Sequence, residues 1–327
     1  MSKEIGSFIE LDLRNTGEYY SGNSNITRLN SARAGIYHAC RLLNCSSVNI
    51  PYYLCPAVKE FLTRKGINIK YYFISKEFEP VNIQQDPDSA ILLVNFFGIL
   101  AGSLLKIISG QFKNVIIDNS AAFFSDPLDG CFNVYSPRKF FGVPDGCYVI
   151  GKGAGRFAEE YDQDYSSETS SFLLKRIEFG SSAIYNERMK NEERINNADI
   201  HKMSILTEAL LNNIDYSNIK KKRQKNFHFA HSLYKNHNLF DPERFMDTEC
   251  IPMIYPLIVE DPDLVEKLQE KQIYTGRWWK NVLKEVLENS FEARLCKFLI
   301  PIPIDQRYGK EELTYCFKEF RKVFTTT

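Results

Sequence analysis

No surplus of charge of either sign marks this chain: 41 Lys and Arg balance 41 Asp and Glu over 327 residues. A nucleic-acid or membrane-surface binder needs excess positive charge, so the balance argues against both. The short basic run Lys220 to Arg223 reads as a solvated helix face. The eight cysteines form no CxxC pair and no Cys/His spacing that suits zinc, so no metal site is expected. They read as reduced thiols of a cytoplasmic protein. The opening Met1-Ser2-Lys3-Glu4 lacks the basic-then-apolar pattern of a signal peptide. The longest uncharged apolar run, Ala90 to Leu105, is broken by Asn95 and glycines and is too short for a membrane span. There is no Gly-Lys-Ser/Thr phosphate loop, no recognisable His cluster, no Ser/His/Asp order, no internal repeat and no low-complexity tract.

What is present is an ordinary globular composition, 44% hydrophobic and 25% charged, with ample length for a large core. From residue 28 to about 152 helical and strand patterns alternate. Ala32 to Leu43 has helical periodicity behind Asn30-Ser31, a good N-cap. Val48 to Tyr53 reads as a strand, Pro56 to Arg64 as a helix stopped by Gly66, and Ile69 to Ile74 as a strand. Ala90 to Phe97 is the near-continuous apolar run of a strand buried on both faces. Leu104 to Ser109 reads as a helix, and Asn114 to Ile117, Phe132 to Tyr135 and Cys147 to Ile150 as strands. Such alternation predicts right-handed crossovers and a mostly parallel sheet.

Residues 153–199 are polar and read as loops and surface helices. Ile200 to Ile214 and Lys220 to Asn236 follow as helices. Beyond Pro252 the pattern becomes that of a small α+β unit. It has a strand at Met253 to Val259, a helix at Asp263 to Lys271, a short strand starting at Ile273, an extended segment framed by Pro301 and Pro303, and a closing amphipathic helix at Glu311 to Val323.

Parallel sheets bind ligands at the carboxyl ends of their strands, which directs attention to Asn95, Asp118, Ser136 and Lys139. Asp118 directly follows an apolar strand. About twenty residues later another strand runs into Ser136-Pro137-Arg138-Lys139. This pairing suits pyridoxal phosphate (PLP). A lysine must form a Schiff base with the cofactor aldehyde, and a carboxylate must keep the pyridine nitrogen protonated. The phosphate needs a hydroxyl and backbone N–H groups, which a helix N-terminus offers. Ser31, Ala32 and Arg33 open the first helix, and Ser136 lies near the lysine. Each of Ser31, Arg33 and Ser136 has an equally ordinary role open to it, as a cap, a solvated arginine or a turn residue. Tyr53, at a strand end, is available to cover the ring face. Arg138 either contacts a phosphate or substrate or forms an ion pair. Trp278 and Trp279 read as core aromatics, and His38 as a packing residue.

These segments resemble the DegT/DnrJ/StrS family, PLP-dependent aminotransferases of fold type I that act on nucleotide-linked keto-sugars. The resemblance runs over most of the chain. It is carried by Asn30-Ser31-Ala32-Arg33, Pro51-Tyr52-Tyr53-Leu54-Cys55, Asn95-Phe96-Phe97-Gly98, Asp118, Lys139, Lys202-Met203-Ser204, Ile273 to Val282 and Asp305 to Gly309. It implies an α/β, aspartate-aminotransferase-like fold. A large PLP-binding domain would span 1–215, with an N-terminal arm over 1–28, and a small C-terminal domain would span 216–327. It further implies Lys139 as the Schiff-base lysine, Asp118 on the pyridine nitrogen, an amino donor, a nucleotide-sugar acceptor in surface-polysaccharide or related sugar synthesis, and a homodimer. The chain departs from the family at Ala121, where Gln or His is usual, at Cys55, near which the ring-stacking aromatic usually falls, and in the Gly-Val-Pro-Asp-Gly-Cys run after the lysine. Those departures leave open a dehydratase or lyase on the same fold, or a binding protein that has lost the chemistry.

Overall fold

A computed structural model describes residues 5–83 and 85–324. Its elements follow the chain as β1 (Ile26–Leu29), α1 (Ala32–Leu42), β2 (Ser47–Pro51), α2 (Pro56–Arg64), β3 (Asn68–Ile74), β4 (Pro80–Val81), β5 (Ser89–Val94), α3 (Gly102–Ser109), β6 (Val115–Asn119), β7 (Phe132–Tyr135) and β8 (Cys147–Ile150). Then come α4 (Ser171–Phe179), α5 (Tyr185–Asn197), α6 (Ile205–Leu211), α7 (Tyr216–Tyr234), β9 (Ile254–Ile258), α8 (Leu264–Glu270), α9 (Phe291–Phe298), β10 (Leu299–Pro303) and α10 (Lys310–Val323).

Eight strands form one sheet in the order β1-β8-β7-β6-β5-β2-β3-β4. The central five, β7-β6-β5-β2-β3, are parallel, and β8, β1 and β4 join at the edges as antiparallel strands. Alternate residues of the central strands feed two cores, as the period-two pleat requires. Ala90, Leu92 and Ile116 face α1 and α2. Ile91, Leu93 and Ile117 face the opposite layer, where they share one apolar core with α3, α7, α8, α10 and the separate β9–β10 pair. The expected parallel sheet, covered on both faces, is therefore present.

Several expected boundaries shift for local reasons. The strand expected over Ala90 to Phe97 stops at Val94, because Phe97 and Gly98 take left-handed backbone (φ 61° and 77°) and turn the chain. The helix expected from Ile200 starts only at Ile205. Before it, Lys202 bridges to Leu29 and Gln163, and Ser204 caps the helix by accepting from the Thr207 N–H. No strand forms at Ile273: its N–H donates to the Leu268 carbonyl, and the segment reaches β10 through side chains, the Thr275 hydroxyl at Pro301 and the Arg277 guanidinium at Leu299. β1 occupies the end of the expected arm. Arg223 is not solvated but 1% exposed, with its guanidinium on the carbonyls of Pro252 and Met253.

Close approach of α1 to the sheet depends on Gly35. A methyl group there would meet Cys147 Sγ at 2.6 Å and valine methyls of Val134 and Val149 at 3.0 Å. Gly35→Ala gains roughly 1 kcal/mol of helix propensity but overpacks a buried seam at a cost of about 1–3 kcal/mol. The expected net result is a lower urea midpoint. An unchanged or raised midpoint would show that α1 can back away from β7 and β8 freely.

Candidate active site

The winding of the sheet reverses between β2 and β5. β3 lies beyond β2 on one side, while β6 and β7 follow β5 on the other. The loops leaving β2 and β5 therefore diverge and leave a crevice, the usual ligand position in such sheets. A cavity of about 470 Å³ occupies it. Its floor comes from strand ends: Leu54 and Cys55 after β2, Val94, Phe96 and Phe97 at β5, Asp118, Ser120 and Ala121 at β6, and Ser136, Arg138 and Lys139 after β7. Ser31, Ala32 and Arg33 of the opening turn of α1 form one wall, Glu192 and Asn196 of α5 another, and Met253, Trp278 and Trp279 a third.

The fold thus brings Ser31, Ala32, Arg33, Asp118, Ser136 and Lys139 to one cavity. It does not bring Tyr53 there. Tyr53 is fully buried behind the wall, edge-on to Trp279 with ring centroids 4.6 Å apart, and its hydroxyl has no hydrogen-bond partner among the described residues. The chain turns sharply after β2, with the Leu54 N–H on the Tyr52 carbonyl, so Leu54 and Cys55 rather than Tyr53 face the ligand space.

Each side chain has a local reason for its place. Ser31 caps α1 by accepting from the Ala34 N–H, and the first N–H groups of a helix have no intrahelical partner. The Asn30 carbonyl accepts from the Gly146 N–H at 2.8 Å, which pins the start of α1 to the loop after Lys139. Pro137–Lys139 form a single 3-10 turn at the end of β7. Gln306 donates to the Phe140 carbonyl at 2.7 Å and accepts from Arg223, whose guanidinium lies 4.4 Å from the Phe140 ring centre. The turn bearing Lys139 is therefore held from the C-terminal unit as well as by the sheet.

α5 was hidden in the polar stretch because it carries almost no apolar periodicity. Beside one buried apolar residue, Ile195, its anchors are polar: Asn191 donates to the Pro144 carbonyl at 2.8 Å, and Arg194 grips both oxygens of Asp164. These contacts aim Glu192 and Asn196, one helical turn apart, into the cavity. The tryptophans both pack against the core and line the cavity.

Asp118 is 6% exposed, and burial raises its carboxyl pKa. Hydrogen bonds from Ser120, with the backbone N–H 2.9 Å from Oδ1, and the charge of Lys139 oppose that rise. Lys139 stands in the open cavity and so has exposed surface, yet the protein around that cavity withdraws bulk water and lowers its pKa, and Arg138 lowers it further. Burial likewise lowers the pKa of Arg33, which has no ion-pair partner among the described residues. A reactive amine, a buried carboxylate and a helix N-terminus with a free guanidinium are the donor set that PLP requires, and the residues fit that group.

Neither a protein-family model nor a curated protein sequence matches the chain. Solved structures do. It is similar to the sugar aminotransferase CalS13 from Micromonospora echinospora, with a TM-score of 0.63 at 14% identity over 93% of this chain and 88% of that one. It is also similar to the PLP form of Spr1654 from Streptococcus pneumoniae, with a TM-score of 0.64 at 16% identity over 94% and 89%. A DegT DnrJ EryC1 StrS aminotransferase from Brucella abortus gives 0.61 at 12% over 93% and 87%.

The low pKa of Lys139 has a stability consequence. Between that pKa and the ordinary lysine value of 10.5 the unfolded chain binds more protons than the folded one, so stability rises with pH across this window. Lys139→Met is expected to raise the melting temperature of the cofactor-free protein at neutral pH, and the gain should fade as pH passes 10.5. Equal melting temperatures at neutral pH would mean that the ammonium group is fully hydrated in the cavity. With the site and the matches together, the chain has the fold-type-I architecture of the DegT/DnrJ/EryC1/StrS aminotransferase structures.

Proposed function

We propose that the chain is a PLP-dependent aminotransferase that passes nitrogen from an amino donor to a nucleotide-linked keto-sugar. The observation that carries this reading is the meeting of Lys139, Asp118 and the opening turn of α1 in one cavity. Lys139 would hold the cofactor covalently through Nζ, and Asp118 would pair with the pyridine nitrogen. Ser31, the N–H groups of Ala32 and Arg33, the Arg33 guanidinium and Ser136 would hold the phosphate. PLP, when bound, supplies an electron sink for the carbon that carries the amino group.

The chain's own residues supply the rest. Lys139 has a lowered pKa, which raises the share of neutral amine able to attack an aldehyde and then to carry a proton to and from the substrate carbon. Burial raises the pKa of Asp118, and hydrogen bonds from Ser120 and the positive charge it faces oppose that rise and favour its ionised form. The apolar wall of Phe96, Phe97, Trp278 and Trp279 excludes water from the reacting atoms. Ala121 offers no side-chain hydrogen bond at its position in the cavity. A lyase or dehydratase on the same fold would release ammonia without any acceptor, and that assay separates the two chemistries.

The reading includes a cytoplasmic homodimer and a division into domains at residues 215 and 216. All eight cysteines are free thiols, which suits a reducing compartment. The dimer is supported by apolar side chains on α4 and α5, among them Leu174, Ile177 (83% exposed) and Tyr185. No helix among the described residues is long and apolar enough to cross a membrane.

The test is the absorbance of the purified protein with added PLP, before and after borohydride, followed by mass spectrometry of the Lys139 peptide. A phosphopyridoxyl adduct on Lys139 is expected, together with amino-group transfer that follows ping-pong kinetics. Asp118→Asn should keep the adduct and lower kcat by about 10²- to 10³-fold, the scale for loss of one preorganised charge contact. A colourless protein with an unmodified Lys139 peptide would leave a fold without the chemistry.

A further inference from the structure

Three cationic side chains, Arg33, Arg138 and Lys139, face the cavity, and the carboxylate of Glu192 contacts Arg138 there. On the proposed function, Lys139 is taken by the cofactor and Arg33 by its phosphate. Arg138 is left with Glu192 as its ion-pair partner, and its Nε is buried with no hydrogen bond among the described residues. A guanidinium offers five N–H donors in a planar fork that matches a carboxylate bidentately. This one is half satisfied, and its side chain is 17% exposed beside the reactive amine.

Glu192 is not locked in place. Its side chain is 29% exposed, and among the described residues its carboxylate accepts from no other side chain or backbone N–H. Arg188 lies one turn earlier on α5 and has no ion-pair partner among the described residues. Residues i and i+4 of a helix are neighbours, so Arg188 can take the Glu192 carboxylate if Arg138 is claimed by another anion. Arg188 is also close enough for its charge to act on Lys139.

We propose that Arg138 seats the carboxylate of an amino-acid donor, and that Glu192 is a resident stand-in which moves to Arg188 when the donor binds. This rests on the PLP reading of the same cavity. The seat takes a carboxylate because a carboxylate already fills it. The exchange replaces one Arg–carboxylate pair by another, so no charge is left buried and unpaired. Arg138 and Lys139 line the same cavity, so a donor seated on Arg138 would carry its amino carbon toward the group that must take its proton.

The experiment uses PLP-loaded protein and glutarate as an unreactive carboxylate, with inorganic pyrophosphate as the contrasting anion, both followed by calorimetry. Arg138→Met should weaken glutarate binding by about tenfold or more, as expected for loss of a charge-assisted hydrogen-bonded pair. Glu192→Gln should strengthen it, because the internal competitor is gone. The donor KM should move in the same directions, and the Lys139 adduct should persist in each variant. The double variant Arg138→Met with Glu192→Gln restores charge balance, so it should melt like the parent and still fail to bind glutarate. Glutarate binding that ignores Arg138→Met, or that survives in the double variant, overturns the proposal. So does Glu192→Gln weakening glutarate binding, which would mark a purely structural ion pair. Arg138-dependent binding of pyrophosphate but not glutarate would assign the seat to a phosphate of the acceptor and overturn the carboxylate assignment. Failure to form the Lys139 adduct in the parent protein would overturn the PLP reading, and this inference with it.

Discussion

The reversal of winding between β2 and β5 governs the rest of the molecule. Parallel strands need crossovers, and crossovers that run in opposite directions cannot fill the gap between their first strands. The ends of β2, β5, β6 and β7 therefore open onto shared space, and Cys55, Phe97, Asp118 and Lys139 meet there although they are distant in sequence. Nothing in the local preferences of these segments requires the meeting. It follows from strand order.

A crevice of this kind would be costly if its charges stood alone, since a buried ionised group without a partner is strongly unfavourable. The ionised form of Asp118, disfavoured by burial, is favoured by Ser120 and by Lys139 across the space. Lys139 is in turn made easier to deprotonate by burial and by Arg138. Arg33 stands at a helix N-terminus, where a positive side chain works against the helix dipole and no acidic residue lies in the first turn. These are unfavourable arrangements for a protein that holds nothing in the cavity. An anionic group at the start of α1 would offset the charge of Arg33, and a polar cation near Asp118 would offset that carboxylate.

Much of this was legible in the sequence, for identifiable reasons. β5, β6, β7 and β8 announce themselves because strands buried on both faces must be largely apolar, and α2 was marked at both ends by Pro56 and Gly66. Asp118 and Lys139 were legible because polar residues at the ends of such strands have few structural reasons to be there. Tyr53 was misplaced because which side of a chain faces a cavity after a sharp turn depends on backbone angles that composition does not reveal. The wall from α5 was missed because that helix is anchored by Asn191 and Arg194 rather than by an apolar stripe. The strand at Ile273 failed because strand-forming residues there spend their backbone donors within their own turn.

Arg223 links the two halves of the molecule in a way that explains its burial. A lone guanidinium in an apolar core should be expelled unless its donors are met, and here they meet the carbonyls of Pro252 and Met253 and the amide of Gln306, with the Phe140 ring against its face. Three of these partners border the cavity or the turn that builds it: Met253 lines one wall, Phe140 follows Lys139, and Gln306 donates to the Phe140 carbonyl. Burial lowers the pKa of Arg223 to about 10, which leaves it charged at neutral pH and able to bind carbonyls strongly. An apolar side chain of similar bulk would fill the same volume but would leave those oxygens unpaired. The buried charge therefore fixes the spacing between the wall that holds the tryptophans and the turn that holds the lysine, a register that packing alone would leave loose.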